Sequence, residues 1–229
     1  MVADPRLIVA LDLNGRAQAE AVVERLGDAV SFYKIGLQLL TGGGMDLART
    51  LKAGGRKVFL DWKLHDIGAT VEKAAAAIVA SGACDFLTVH AEPQVLAAAV
   101  RGRVGDTKLK ILGVTVLTSL SDADLLDIGY QASVADLIER RVGQVIDAGA
   151  DGVIVSPHEA HLARRMGGPD FLVVTPGVRP AGAPLDDQVR AATPAAALAA
   201  GASHLVIGRP ITAAPDPAAA ARAVVEEMA

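Results

Sequence analysis

The chain has 229 residues, 52% hydrophobic and 21% charged, so it can bury a substantial core and does not read as disordered. Its net charge of −4 leaves no basic surface for nucleic acid or anionic lipid, so any anion it binds must be held by a few placed cations. A single cysteine, Cys84, excludes an intramolecular disulfide framework and fits a reducing compartment. The opening MVADPRLIVALD has no basic region followed by an apolar one, so it does not read as a signal peptide. The uncharged stretch 191–208 contains Pro194, Gly201, Ser203 and His204, which makes it a poor bilayer span. The chain reads as soluble and cytoplasmic.

In chain order, eight apolar runs have the length and residue types of buried strands: LIVALD, SFYKIG, VFLDWK, FLTVHA, ILGVTVLTS, GVIVSP, FLVVTPG and HLVIGRPI. Most are separated by segments of helix length, such as VEKAAAAIVA and VADLIERRVGQVIDA. A quasi-repeat precedes four strands: AGGRKVFLD, SGACDFLTVH, AGADGVIVS and AGASHLVIG each place glycine among small residues just before the apolar run. Glycine there suits the left-handed position past a helix end. Alternating β and α units argue a parallel sheet, and eight units at this length argue one closed (β/α)8 barrel spanning 1–229. An open doubly wound sheet is the alternative. No linker or charge block divides the chain. Cys84 reads as a small buried hydrophobe ahead of the fourth strand.

Each strand ends in something chemical: Asp12, Lys34, Asp61 with Lys63, His90, Thr118 with Ser119, Ser156, Arg179 and Arg209. In such barrels the C-terminal strand ends build the active site. The third strand is the most pointed case. Alternation puts Phe59, Asp61 and Lys63 on one face and Leu60 and Trp62 on the other, with Asp66 just beyond. A lysine among carboxylates at the end of a buried strand is either a structural ion pair or a catalytic centre. VTPGVRP and HLVIGRPIT place Gly177 with Arg179, and Gly208 with Arg209, at the last two strand exits, with Gln188 following in LDDQVR. Backbone N–H groups near glycine and an arginine fork suit a phosphate, although either arginine alone would pass for a solvated loop charge.

The remaining motifs carry less. HEAH at 158–161 is not a zinc motif, and His65, His90 and His204 stand singly, so they read as hydrogen-bonded histidines rather than metal ligands. There is no nucleophile elbow. TGGG at 41–44 lacks the features of a P-loop and reads as a loop or helix start.

LDWKLHDI, with VALD, YKIG, TVHA, GVTVLTSL, DGVIVS, PGVRP, DDQ and VIGRPIT in this order, resembles the orotidine 5′-phosphate decarboxylase family over nearly the whole chain. The resemblance implies decarboxylation of orotidine 5′-monophosphate to UMP without metal or organic cofactor. It implies that Lys63 protonates C6 of the pyrimidine, that Asp61 flanks it, and that Asp66 and Thr70 reach the partner's site in a homodimer. Asp12 and Lys34 would contact the ribose hydroxyls, Thr118 and Ser119 the pyrimidine region. Arg179, Gln188, Gly208 and Arg209 would hold the phosphate, with the loop 177–190 as a lid. The chain departs from many relatives at Gly68 and Ala69, where HDIPNTV is common, so the loop loses a fixed φ and a polar side chain. The rival readings are a Mg²⁺-using phosphosugar enzyme of a related barrel family and a silent nucleotide-phosphate binder.

Overall fold

The computed structural model describes residues 3–105, 108–180 and 192–229. Its strands are β1 (Leu7–Ala10), β2 (Phe32–Gly36), β3 (Lys57–Leu64), β4 (Phe86–His90), β5 (Lys110–Val114), β6 (Gly152–Ile154), β7 (Leu172–Thr175) and β8 (His204–Ile207). All pair in parallel, in sequence order, and β8 closes on β1 through Leu7↔Leu205 to Val9↔Ile207. The closed barrel is the architecture expected from the alternating pattern, and all eight apolar runs supply a strand.

The helices are α1 (Arg16–Leu26), α2 (Gly44–Ala53), α3 (Gly68–Ser81), α4 (Pro93–Gly102), α5 (Asp122–Asp127), α6 (Val134–Asp147), α7 (Ala160–Gly167), α8 (Pro194–Ala199), α9 (Arg209–Thr212) and α10 (Pro217–Glu227). Local chemistry sets several starts. Ser133, Thr193 and Asp216 accept backbone N–H groups of the first turns of α6, α8 and α10, and Pro194 and Pro217 occupy first-turn positions that need no N–H donor. Gly82, Gly149 and Gly201 have φ of 61°, 70° and 105°, as the quasi-repeat predicts; in the first repeat it is Gly55 (φ 76°), not Gly54, that turns the chain. TGGG forms the entry to α2.

Two apolar layers hold the barrel. Side chains of one parity, including Leu7, Val9, Tyr33, Leu60 and Leu87, pack outward against the helices. The other parity fills the interior with Ile8, Ala10, Phe32, Phe59, Phe86, Leu112, Val174 and Val206. Both faces of each strand are covered, which is why the strands read as unbroken apolar runs. Phe32 and Phe86 meet edge to face with centroids 4.9 Å apart, plugging the interior. Cys84 packs against the outer layer, its thiol donating to the Phe86 carbonyl at 2.9 Å; burial pushes its pKa up to about 12, so it behaves as the structural residue its context predicts. Among the described residues no helix is long and apolar enough to cross a membrane.

Candidate active site

Above the aromatic plug, the same inward parity that places Phe32 and Phe59 in the core places Lys34, Gly36 and Asp61 at the C-terminal mouth. The register sets Lys34 opposite Phe59 and Gly36 opposite Asp61. A cavity of about 610 Å³ opens there, floored by Ala10, Phe59, Val114, Ile154 and Val206. Its size lies within the roughly 300–1,000 Å³ usual for small-molecule sites.

One wall is a row of alternating charges. Lys34 Nζ donates to Asp12 Oδ1 at 2.8 Å and lies 3.5 Å from Asp61 Oδ2; Lys63 Nζ donates to Asp61 Oδ1 at 2.9 Å. Lys34 is only 8% exposed and Asp61 is partly buried, so the middle of the row is built into the barrel, while Asp12 stands exposed at its end. Burial alone raises the pKa of Asp61, but Lys34, Lys63 and hydrogen bonds from Lys63 and Thr88 outweigh it and hold the carboxyl below its usual value. Asp61 is therefore a fixed negative charge between two ammonium groups. Room for the row is made by Gly36: a Cβ there would lie 2.7 Å from Asp12 Oδ1 and 2.9 Å from Lys34 Nζ.

Across the cavity stand Arg179, 8% exposed, and Arg209, with Gly177 (φ 79°) and Gly208 beside them. The Arg179 N–H donates to the Ala192 carbonyl at 2.9 Å. Two lysines and two arginines thus converge on one mouth, as the strand ends suggest.

Of the remaining residues singled out in the sequence, Thr118 lines the cavity, whereas Ser119 is exposed outside it. Asp66 and Thr70 also stand outside. Both are exposed, on the loop into α3 and on its first turn, and Asp66 Oδ1 accepts its neighbour's N–H from Ile67 at 2.7 Å. Gln188 and most of the loop 177–190 fall outside the described residues. His65 lies at the rim, its ring 4.8 Å from that of His90 and its Nε2 3.8 Å from Glu92 Oε2. No group of three His, Cys, Asp or Glu side chains suited to a metal ion occurs among the described residues.

The expected faces of β3 hold: Asp61 and Lys63 line the cavity, while Leu60 and Trp62 pack on the outer layer. Two residues with a clear place in the site escape the sequence reading. Gly36 is visible only as the last letter of YKIG, and Thr88 only as a polar residue inside FLTVH. Neither signal says which side chain it serves.

A (β/α)8 barrel with a charged cavity at the C-terminal ends of its strands has the layout of an enzyme of this fold. The family model described as orotidine 5′-phosphate decarboxylase / HUMPS family matches residues 5–224. A protein of a Caulobacter species named orotidine 5′-phosphate decarboxylase is 66% identical over 229 residues, covering 100% of this chain and 99% of that one. A Rhodopseudomonas palustris protein of the same name is 57% identical over 224 residues, 98% and 94% of the two chains. The crystal structure of orotidine 5′-phosphate decarboxylase from Lactobacillus acidophilus superposes with a TM-score of 0.86 at 39% identity, covering 98% of this chain and 99% of that chain. The chain belongs to the orotidine 5′-phosphate decarboxylase / HUMPS family.

Proposed function

We propose that this carboxy-lyase converts orotidine 5′-monophosphate to UMP in pyrimidine biosynthesis, with Lys63 delivering the proton to C6. The observation that carries the reading is the Asp12–Lys34–Asp61–Lys63 row facing the Arg179–Arg209 pair across one cavity. In this reaction the bond from C6 to the carboxylate breaks, CO₂ leaves, and the electron pair remains on C6 in an orbital that the ring cannot delocalise. The Lys63 ammonium stabilises that pair and gives it a proton; the resulting amine recovers a proton from solvent after product leaves. The step consumes the ammonium form, whose N–H donates to Asp61 Oδ1 at 2.9 Å. Charges fixed before the reaction need no reorganisation during it.

Lys34 and Asp12 are suited to the ribose hydroxyls, which offer both donors and acceptors, and Thr118 with Ser119 to the pyrimidine. Arg179, Arg209, the Gly208 backbone and Gln188 form the phosphate grip, with loop 177–190 closing over it. Binding energy from the unreactive phosphate then helps to assemble the charged site. The exposure of Asp66 and Thr70 outside their own cavity supports a homodimer in which each reaches the partner's ligand. The reading places the whole chain as one catalytic domain, working in the cytoplasm without metal or organic cofactor.

The test is the ultraviolet absorbance of orotidine 5′-monophosphate after addition of protein in excess chelator. Conversion to UMP supports the proposal. No conversion in chelator, with turnover of a phosphosugar restored by Mg²⁺, would overturn it.

A further inference from the structure

β3 leaves the regular ladder in order to present Lys63. Its pairing with β4 runs Phe59↔Phe86 and Leu60↔Leu87, then resumes only at Leu64↔Val89. Four steps along β3 therefore match two along β4, and the extra residues bulge out opposite Thr88. Within the bulge Lys63 has φ 49°, left-handed backbone that a side chain bearing a Cβ adopts only when its surroundings force it. The bulge also takes the Lys63 N–H out of the ladder, and a buried donor needs an acceptor.

One side chain answers both needs. Thr88 is completely buried; its Oγ1 accepts the Lys63 N–H at 3.0 Å and donates its own hydrogen to Asp61 Oδ1 at 3.0 Å. That carboxylate oxygen in turn accepts from Lys63 Nζ at 2.9 Å. The bonds close a ring from the Lys63 backbone through the Thr88 hydroxyl and the Asp61 carboxylate to the Lys63 ammonium. A hydroxyl is suited to this link because it accepts and donates at once. A valine of the same shape would suit a buried strand equally well but could do neither.

We infer that Thr88 is a positioning residue of the reaction: it fixes the β3 bulge at Lys63 and aims Asp61 so that the ammonium is presented to the cavity. The inference rests on the functional reading above. It predicts a specific kinetic pattern, because Thr88 itself is not among the cavity-lining residues. T88V should lower kcat by about 10- to 150-fold, the range for losing a hydrogen bond to a charged group. UMP affinity should stay within about threefold of wild type, since ribose and phosphate contacts are retained. T88S should restore most of the rate. T88V that turns over within about threefold of wild type, or T88S as slow as T88V, would overturn the inference. If T88V fails to fold, T88A carries the same comparison with T88S.

A crystal structure of the slow variant separates this idea from the functional reading. If wild-type protein leaves orotidine 5′-monophosphate unchanged, that reading falls and the coordinates alone judge the positioning role. Lys63 still at left-handed φ with Nζ on Asp61 would overturn it. A Lys63 returned to extended backbone, or an ammonium released from Asp61, would support it.

Discussion

Gly36→Ala is the substitution that most directly separates the site from the scaffold. Gly36 ends β2 with φ −90° and ψ −175°, extended backbone that alanine adopts freely, so no conformational strain arises. The added methyl, however, would sit 2.7 Å from Asp12 Oδ1 and 2.9 Å from Lys34 Nζ, against about 3.4 Å for a comfortable contact. The carboxylate must retreat by roughly 0.7 Å and the ammonium by roughly 0.5 Å. Lys34 now stands 2.8 Å from Asp12 and 3.5 Å from Asp61, so such a displacement breaks its best bond. Losing one charge-assisted hydrogen bond costs about 1.5–3 kcal/mol, or about 10- to 150-fold in kcat/KM. Only the ends of two flexible side chains meet the methyl, so the barrel itself should remain folded, with a melting temperature within a few degrees of wild type. The assay is the absorbance decay of orotidine 5′-monophosphate at subsaturating concentration, with a circular dichroism melt alongside. A folded variant with kcat/KM within about threefold of wild type would refute the reasoning, because the ion pair would then be dispensable where it stands.

Lys63→Ala should still bind UMP while losing at least about 10⁴-fold in turnover, since it removes both the proton donor and its charge. Residual turnover within about 100-fold of wild type would show that another group donates the proton. Arg209→Ala should lower kcat/KM by about 10²- to 10³-fold while the thermal melt is unchanged, and comparable kcat/KM values would remove the arginine from the phosphate grip. His204, at the base of the barrel against Phe32 and Phe86, has its pKa lowered to about 4, first by burial and then by Lys57, with Asp4 opposing and Arg6 adding to the shift. The unfolded chain titrates there near 6.5 and binds the proton first, so stability is complete above that pH and falls as the pH drops towards 4, by about 3 kcal/mol in all. Urea melts of wild type and H204L at about pH 7.5 and 4.5 check this, and equal losses in both proteins would remove His204 as the cause.

The sequence by itself determined the barrel and the polar residues at its strand ends. Strands buried on both faces must be apolar throughout, helix ends must turn at residues such as Gly82, Gly149 and Gly201, and both demands are written in consecutive residues. The alternation that takes Phe59 into the core also takes Asp61 to the mouth, so the facing of that carboxylate was legible, whereas Lys63 reaches the cavity through the β3 bulge. What only the tertiary structure decided is which groups meet across strands. Lys34 lies between Asp12 and Asp61 because three strands bring their ends together in one register, a relation that no single segment encodes. Gly36 matters for an absence of volume, and an empty position has meaning only once its neighbours are placed. Ser119 resembles Thr118 on paper, yet one chain turn leaves it outside the cavity. Thr88 reads as an ordinary strand residue in FLTVH; only the two-residue slip between β3 and β4 sets its hydroxyl opposite the Lys63 N–H. Local sequence sets local conformation and facing, whereas pairing register and barrel closure set the contacts between distant residues from which the site is made.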